Sequence, residues 1–163
     1  MTGNNDFPPR IKVYAYILDT FADGDRLIVF EHVDYPEAGI QVQVPGGSVE
    51  PGEGPADAVI REVCEETGIE TLELVGKLGE VYKDMAEFGL NSIHERHFYQ
   101  FECPYPTPET WVAYEETPSD GSPAPIAFRF YWASLNKNPN LAGGLGEFLS
   151  LLTKIYIYKN CFK

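Results

Sequence analysis

Three glutamates, Glu62, Glu65 and Glu66, recur at i, i+3 and i+4 in the run REVCEETG. An α-helix turns about 100° per residue, so this spacing sets three carboxylates within about 120° of one another. Like charges so placed repel by about 0.2–0.5 kcal/mol per exposed pair. A hard divalent cation with oxygen ligands, Mg²⁺ or Mn²⁺, would remove that conflict. A Glu-x-x-Glu-Glu alone is most often a solvated helix face, so the neighbouring residues decide its meaning. Gly46, Gly47, Gly52 and Gly54 precede it and let the backbone turn tightly and approach a ligand. Glu53 stands before the helix and Arg61 eight positions later, where an ion pair would tie the loop to the helix and orient its acidic face.

The whole segment from Gly47 to Ile69 resembles the signature of the Nudix hydrolase family. That signature reads Gly, five residues, Glu, seven residues, Arg-Glu-apolar, any residue, Glu-Glu, any residue, Gly-apolar. Gly47, Glu53, Arg61, Glu62, Val63, Glu65, Glu66, Gly68 and Ile69 match it without a departure. The resemblance implies that Glu62, Glu65 and Glu66 bind divalent ions, Mg²⁺ or Mn²⁺, with a backbone carbonyl added by Gly46. It implies that Glu53 and Arg61 form a supporting ion pair and complete the catalytic set. It also implies an α/β fold, an α/β/α sandwich with a mixed β-sheet, in which the motif forms a loop–helix–loop metal site. The expected substrate is a nucleoside diphosphate linked to a further group.

Such a reaction agrees with the residue chemistry. Hydrolysis of a P–O–P bridge needs an activated water, neutralised phosphate oxygens and a stabilised leaving phosphate, and metal ions supply all three. A carboxylate accepts the proton as water attacks phosphorus. Family members differ in which residue serves, so the base is one of the helix glutamates or a glutamate from elsewhere. Glu95, placed in the connection before the fifth strand, is one candidate; Glu80 and Glu87 are weaker ones.

The elements that must position this segment are legible from periodicity. Ile11–Leu18 and Arg26–Val33 read as strands joined by the turn-forming run Asp19–Asp25. A short third strand, Gln41–Val44, ends at Pro45-Gly46-Gly47. Pro55–Thr67 is the clearest helix, with Pro55 at its first position, Asp57 in its first turn and Gly68 after its end. Ala56, Val59, Ile60 and Val63 are its expected core face. Strands follow at Leu72–Tyr82 and His97–Glu102. A proline-rich excursion runs from Pro104 to Pro125, with Trp111–Glu115 pairing with Phe128–Ser134. A last helix is expected over Gly144–Ile155, with Leu145, Phe148, Leu149 and Leu152 on one face.

At 163 residues, 44% hydrophobic and 23% charged, the chain suits one Nudix domain over residues 1–163, its polar first ten residues flexible. The net charge of −13 with only 12 lysines and arginines argues against duplex nucleic acid as a partner. It also favours a small nucleotide over capped RNA. Cys64, Cys103 and Cys161 fit neither a disulfide framework nor a zinc pattern. With no secretory run and no span for a membrane, a cytoplasmic protein is expected. The last helix and the proline-rich region offer surfaces for a homodimer.

Substrate identity lies outside the motif. No proline occurs between Ile69 and Pro104, and Tyr82 stands only 13 residues beyond Ile69. These positions disfavour the marks of ADP-ribose and dinucleoside polyphosphate hydrolases, and the mark of NADH pyrophosphatases is absent as well. Among the aromatics, Trp111 and Tyr114 are the expected substrate-binding lid residues, with Glu95 beside them. His94 and His97 have no zinc spacing and read as strand or loop residues. The alternative to turnover is a Nudix-fold module that senses a nucleotide without cleaving it.

Overall fold

The structure, a computed structural model, describes residues 7–21, 24–34, 42–104, 106–118 and 121–152. Its strands are β1 (Arg10–Phe21), β2 (Gly24–His32), β3 (Gly46–Ser48), β4 (Glu73–Asp84), β5 (Ile93–Glu102), β6 (Thr110–Glu115) and β7 (Ile126–Ser134). One α-helix, α1 (Pro55–Thr67), lies between β3 and β4. The sheet order is β4-β5-β1-β2-β7-β6, with β3 added on β1. Among the described strands β1 and β5 run parallel, and the other strand pairs are antiparallel. A parallel pair needs a crossover, and the chain through β3, α1 and β4 supplies it.

The free edge of β1 is shared. Leu18–Phe21 pairs with β2, whereas Lys12–Tyr14 pairs with β3. β3 therefore enters the sheet beside the first half of β1 and delivers the glycine loop and α1 directly over that strand. The strands alternate, and each face of the sheet has its own core. Val13, Ala15, Ile17, Phe30, Tyr99 and Phe130 pack beneath Ala58, Val59 and Val63 of α1. On the opposite face Tyr16, Leu18, Val29 and Phe98 pack with Leu145, and Phe148, Leu149 and Leu152 rest against them.

Four expectations need correction. The last helix over Gly144–Ile155 is replaced by two 3₁₀ turns, Ala142–Gly144 and Leu149–Leu151, and residues beyond 152 lie outside the described ones. The apolar residues named for that helix still cover the sheet. Gly143 and Gly144 have positive φ, of 58° and 77°, which breaks a helical path where the spacing suggested one. On β4, Gly79 leaves the space that the Phe148 ring fills. Among the described residues, the layer opposite α1 is thus built from turns.

The short strand predicted at Gln41–Val44 is displaced. Val42 and Gln43 make only isolated bridges, to Leu141 and Phe30, and the strand itself is Gly46–Ser48. Gln41 lies outside the described residues. The core face of α1 uses Ala58 rather than Ala56, and Ile60 is 43% exposed. The fifth strand begins at Ile93, so Glu95 stands within it and not in a preceding connection. Helix α1 itself has the expected bounds, and β6 pairs with β7 through Trp111↔Phe130 as expected. No helix among the described residues is long and apolar enough to cross a membrane.

Candidate metal and phosphate site

Helix α1 is held at both ends by its sequence. Pro55 opens it after extended Gly54, and Gly68, at φ 73°, closes it with its N–H on the Cys64 carbonyl. The buried Ala58, Val59 and Val63 set the rotation of the helix over β1 and β3. The acidic row then points at the β3 backbone and not simply to solvent. Glu66 is 9% exposed and accepts a hydrogen bond of 3.2 Å from the N–H of Gly46. Glu62 sits against Gly47, whose missing side chain leaves room for its carboxylate. Glu65 is exposed.

Arg61 is the hub of the loop–helix junction. Its Nε and Nη2 donate to the two oxygens of Glu53 at 2.8 and 3.0 Å, a fork-on-fork pair. Nη2 also donates to the Ser48 carbonyl at 3.0 Å. Nη1 reaches Glu62 at 2.9 Å and Glu65 at 3.3 Å. One guanidinium therefore joins β3, the loop and two glutamates of the helix. Glu53 is further held by the Glu50 N–H at 3.0 Å.

The titration behaviour follows from these contacts. Arg61, and then the Glu50 N–H, hold the Glu53 carboxyl down to about 2. Burial pushes Glu62 above the ordinary carboxylate range, opposed by Arg61. Burial pushes Glu66 up much further; the Gly46 N–H opposes this, while Glu62, Glu115 and Glu65 add to it. A buried carboxylate crowded by three others is a group that needs a cation.

A cleft of about 660 Å³ opens over this row. Glu50, Arg61, Glu62, Glu65, Glu66, Gly46 and Gly47 line it from the motif; Lys12 and Tyr14 from β1; and Tyr114, Glu115 and Glu116 from the β6 end. Glu62, Glu65, Glu66 and Glu115 line the same cleft, and their all-oxygen donor chemistry is that of a hard divalent ion, Mg²⁺ or Mn²⁺. The buried Glu66 and the space left at Gly47 are the features that make the fit.

The remaining sequence candidates fall in different places. Tyr114 is 58% exposed and lines the cleft. Trp111 does not line it; it stacks on Phe130, donates to the Thr67 carbonyl at 3.0 Å, and borders a separate hollow beyond the helix end. Glu95 does not line the cleft either. It contacts His97 Nε2 at 2.7 Å and accepts from the Tyr82 hydroxyl at 3.2 Å. Glu80 is engaged by Lys77 and Glu87 by Lys83.

Tyr14, one of the aromatics able to stack a base, does line the cleft; sequence reasoning missed Glu115 and Lys12. For Glu115 a signal existed. In the strand Trp111–Glu115, period-two alternation sets Glu115 on the side of Trp111 and Ala113, which pack against the core beneath α1. For Lys12 there was none, because its approach to α1 depends on β3 joining β1.

A mixed sheet carrying this loop–helix–loop defines a family. Residues 8–150 match the NUDIX domain, and the chain belongs to that family. It is 37% identical over 81 residues to an RNA pyrophosphohydrolase of Acidiphilium cryptum, covering 49% of this chain and 48% of that one. A second RNA pyrophosphohydrolase, of Rhodopseudomonas palustris, is 36% identical over 83 residues, covering 49% and 46%. The chain thus spans about half the length of the curated relatives it matches. Among solved structures, a NUDIX hydrolase from Nitrosomonas europaea superposes with TM-score 0.59 at 20% identity over 88% of both chains. The NUDIX domain of Shewanella oneidensis NrtR, complexed with ADP ribose, gives TM-score 0.62 at 14% identity, covering 93% and 90%. At these identities the structures show the shared fold.

Proposed function

We propose that the chain is a divalent-metal-dependent hydrolase, Mg²⁺ or Mn²⁺ serving, that cleaves a pyrophosphate bond in a nucleoside diphosphate linked to another group. The observation that carries this reading is the burial of Glu66 among Glu62, Glu65 and Glu115 at the floor of one cleft. Glu62, Glu65, Glu66 and the Gly46 carbonyl would hold the ion. An ion held there would supply a water of lowered pKa, neutralised phosphate oxygens and a stabilised leaving phosphate.

The chain's own residues do the rest. Arg61 fixes the rotamers of Glu62 and Glu65 and, through Glu53 and Ser48, keeps the loop closed on the helix. A carboxylate of the cleft, Glu62, Glu65, Glu66 or Glu115, accepts the proton of the attacking water. Tyr114 offers an exposed ring for a nucleobase at the mouth. The acidity of the chain favours a small nucleotide. A second reading, in which the nucleotide is the 5′ end of an RNA, is favoured by the activity named for the curated relatives.

The test is magnesium-dependent release of phosphate or pyrophosphate over nucleoside triphosphates, nucleotide sugars, dinucleoside polyphosphates, ADP-ribose and 5′-triphosphorylated RNA. Glu65→Gln and Glu66→Gln are expected nearly to abolish turnover with the thermal midpoint unchanged or raised. Full activity in both variants would overturn the mechanism. Inactivity on the whole panel would favour a nucleotide-sensing module.

A further inference from the structure

β4 ends the sheet on the side of β5, and across that pair its residues meet partners that carry chemistry. Glu80 stands opposite His97, and Tyr82 opposite Glu95. Directly opposed residues share one face, with Cβ atoms about 5 Å apart. His97 also lies beside Val13 of β1, which packs beneath α1, so the group is on the α1 face. Val13 pairs on its other side with Gly47. Strands lie about 4.8 Å apart, so the His97 and Gly47 backbones are separated by about 10 Å with β1 between them. Glu80, Glu95 and His97 do not line the acidic cleft.

His97 is only 5% exposed. Its Nε2 lies 2.7 Å from Glu95 Oε1. A carboxylate accepts and does not donate, so the neutral ring carries its hydrogen on Nε2 and leaves Nδ1 a bare lone pair. That Nδ1 is buried and makes no hydrogen bond, and Glu80 Oε2 faces it at 3.5 Å. Two acceptors therefore meet with no donor between them, an arrangement that costs free energy until a cation stands there.

A zinc ion fits that gap. Its bonds to imidazole nitrogen and carboxylate oxygen are about 2.0–2.2 Å, which at a tetrahedral angle sets two donors about 3.3–3.6 Å apart. Glu95 is held on both oxygens, by His97 and by the Tyr82 hydroxyl at 3.2 Å. A carboxylate on the second ring nitrogen is the usual support of a metal-ligating histidine. One donor atom from each of Glu80, Glu95 and His97 lies within 4.8 Å of the others. Lys77 donates to Glu80 Oε2, so its ammonium is the group that an ion would displace. An imidazole with carboxylates suits a borderline ion such as Zn²⁺, whereas the carboxylate row of α1 suits the harder Mg²⁺ or Mn²⁺.

We propose that His97 Nδ1 and Glu80 bind Zn²⁺ on the α1 face of the β4–β5 pair, with Glu95 orienting the imidazole, as a metal site separate from the carboxylate row of α1. The ion joins the edge strand to its neighbour and takes the place of Lys77 on Glu80. The sequence hides such a site, because its donors meet only through the β4–β5 register. The site is independent of whether the cleft hydrolyses a pyrophosphate.

The test is a zinc titration of the full chain in excess Mg²⁺, followed through the ring nitrogens of its three histidines by ¹H–¹⁵N NMR. The His97 signals are identified by their loss in His97→Gln. Zinc is expected to move His97 Nδ1 to the metal-bound range with one-to-one saturation, and to do so equally in a Glu66→Gln background. Glu80→Gln is expected to weaken this binding tenfold or more. The Glu80 side chain is half exposed, and an unchanged zinc-free thermal midpoint shows that the variant is folded. Lys77→Gln, which frees Glu80, is expected to bind zinc at least as tightly as wild type. Zinc that binds without moving His97, as it would on the helix glutamates or on a cysteine, overturns the site. Equal affinity in wild type and Glu80→Gln overturns it as well, and so does a hydrogen found on Nδ1 in the zinc-free chain.

Discussion

A Cβ on residue 47 would fall inside the carboxylate of Glu62, so Gly47 and Glu62 occupy one site between them. The displaced group would be the end of a flexible side chain, and the backbone would stay where it is. Gly47→Ala is therefore expected to fold, with a thermal midpoint within a few degrees of wild type. It is also expected to turn Glu62 away from Arg61 and the metal position. Displacements near 1 Å at a catalytic group cost about 100-fold in rate. A loss of that order in kcat/KM, with circular dichroism unchanged, is the expected pair of results.

Glu62 and Glu66 both titrate above the ordinary carboxylate range because they are buried. A carboxyl whose folded pKa is raised contributes stability that is full below the unfolded value and is lost as pH rises through the folded value. The metal-free protein should accordingly melt at falling temperature as pH rises above about 4.5. Mg²⁺ should restore the midpoint at pH 8. Glu66→Gln should raise the metal-free midpoint at pH 8 and remove most of the response to Mg²⁺, read by a thermal melt in chelator and in metal.

The Arg61–Glu53 fork acts in the opposite pH direction. Glu53 is depressed to about 2, so its contribution is present above the unfolded value and is lost as pH falls from about 4.5 toward 2. Arg61→Lys keeps the charge but cannot make the fork or reach Ser48 and the two helix glutamates together. We expect a lower midpoint in denaturant unfolding, because the Glu53 fork and the Ser48 contact are lost together. Turnover should fall at least tenfold, as the loop and Glu62 lose their common anchor.

Trp111 and Tyr114, three residues apart on one strand, should separate in their effects. Trp111 packs on Phe130 and caps the Thr67 carbonyl, so Trp111→Ala should destabilise by about 3–5 kcal/mol. Tyr114 is exposed at the cleft, so Tyr114→Ala should leave the midpoint unchanged and raise KM for the nucleotide. A KM unchanged by Tyr114→Ala would remove that ring from the substrate site.

By itself the sequence determined the helix and its ends, the order of carboxylates along it, and the Glu53–Arg61 pair. Each depends on residues within about twenty positions and on the fixed geometry of a helical turn. It also placed a strand at Trp111–Glu115 beside Phe128–Ser134, and the pairing in the structure runs from Thr110↔Tyr131 to Glu115↔Ile126. The tertiary structure alone decided which face the acidic row meets. β3 joins β1 at Lys12–Tyr14, and that long-range pairing buries Glu66 on Gly46 and sets Lys12 beside the cleft. Contacts of that kind have no period in the chain. The same holds for the layer opposite α1, where apolar spacing predicted a helix but positive φ at Gly143 and Gly144 and the Phe148 ring over Gly79 made turns. Glu95 shows the limit most clearly. Its residue type suited catalysis, but a strand starting at Ile93 gave its carboxylate to His97 and Tyr82 and left the place in the cleft to Glu115.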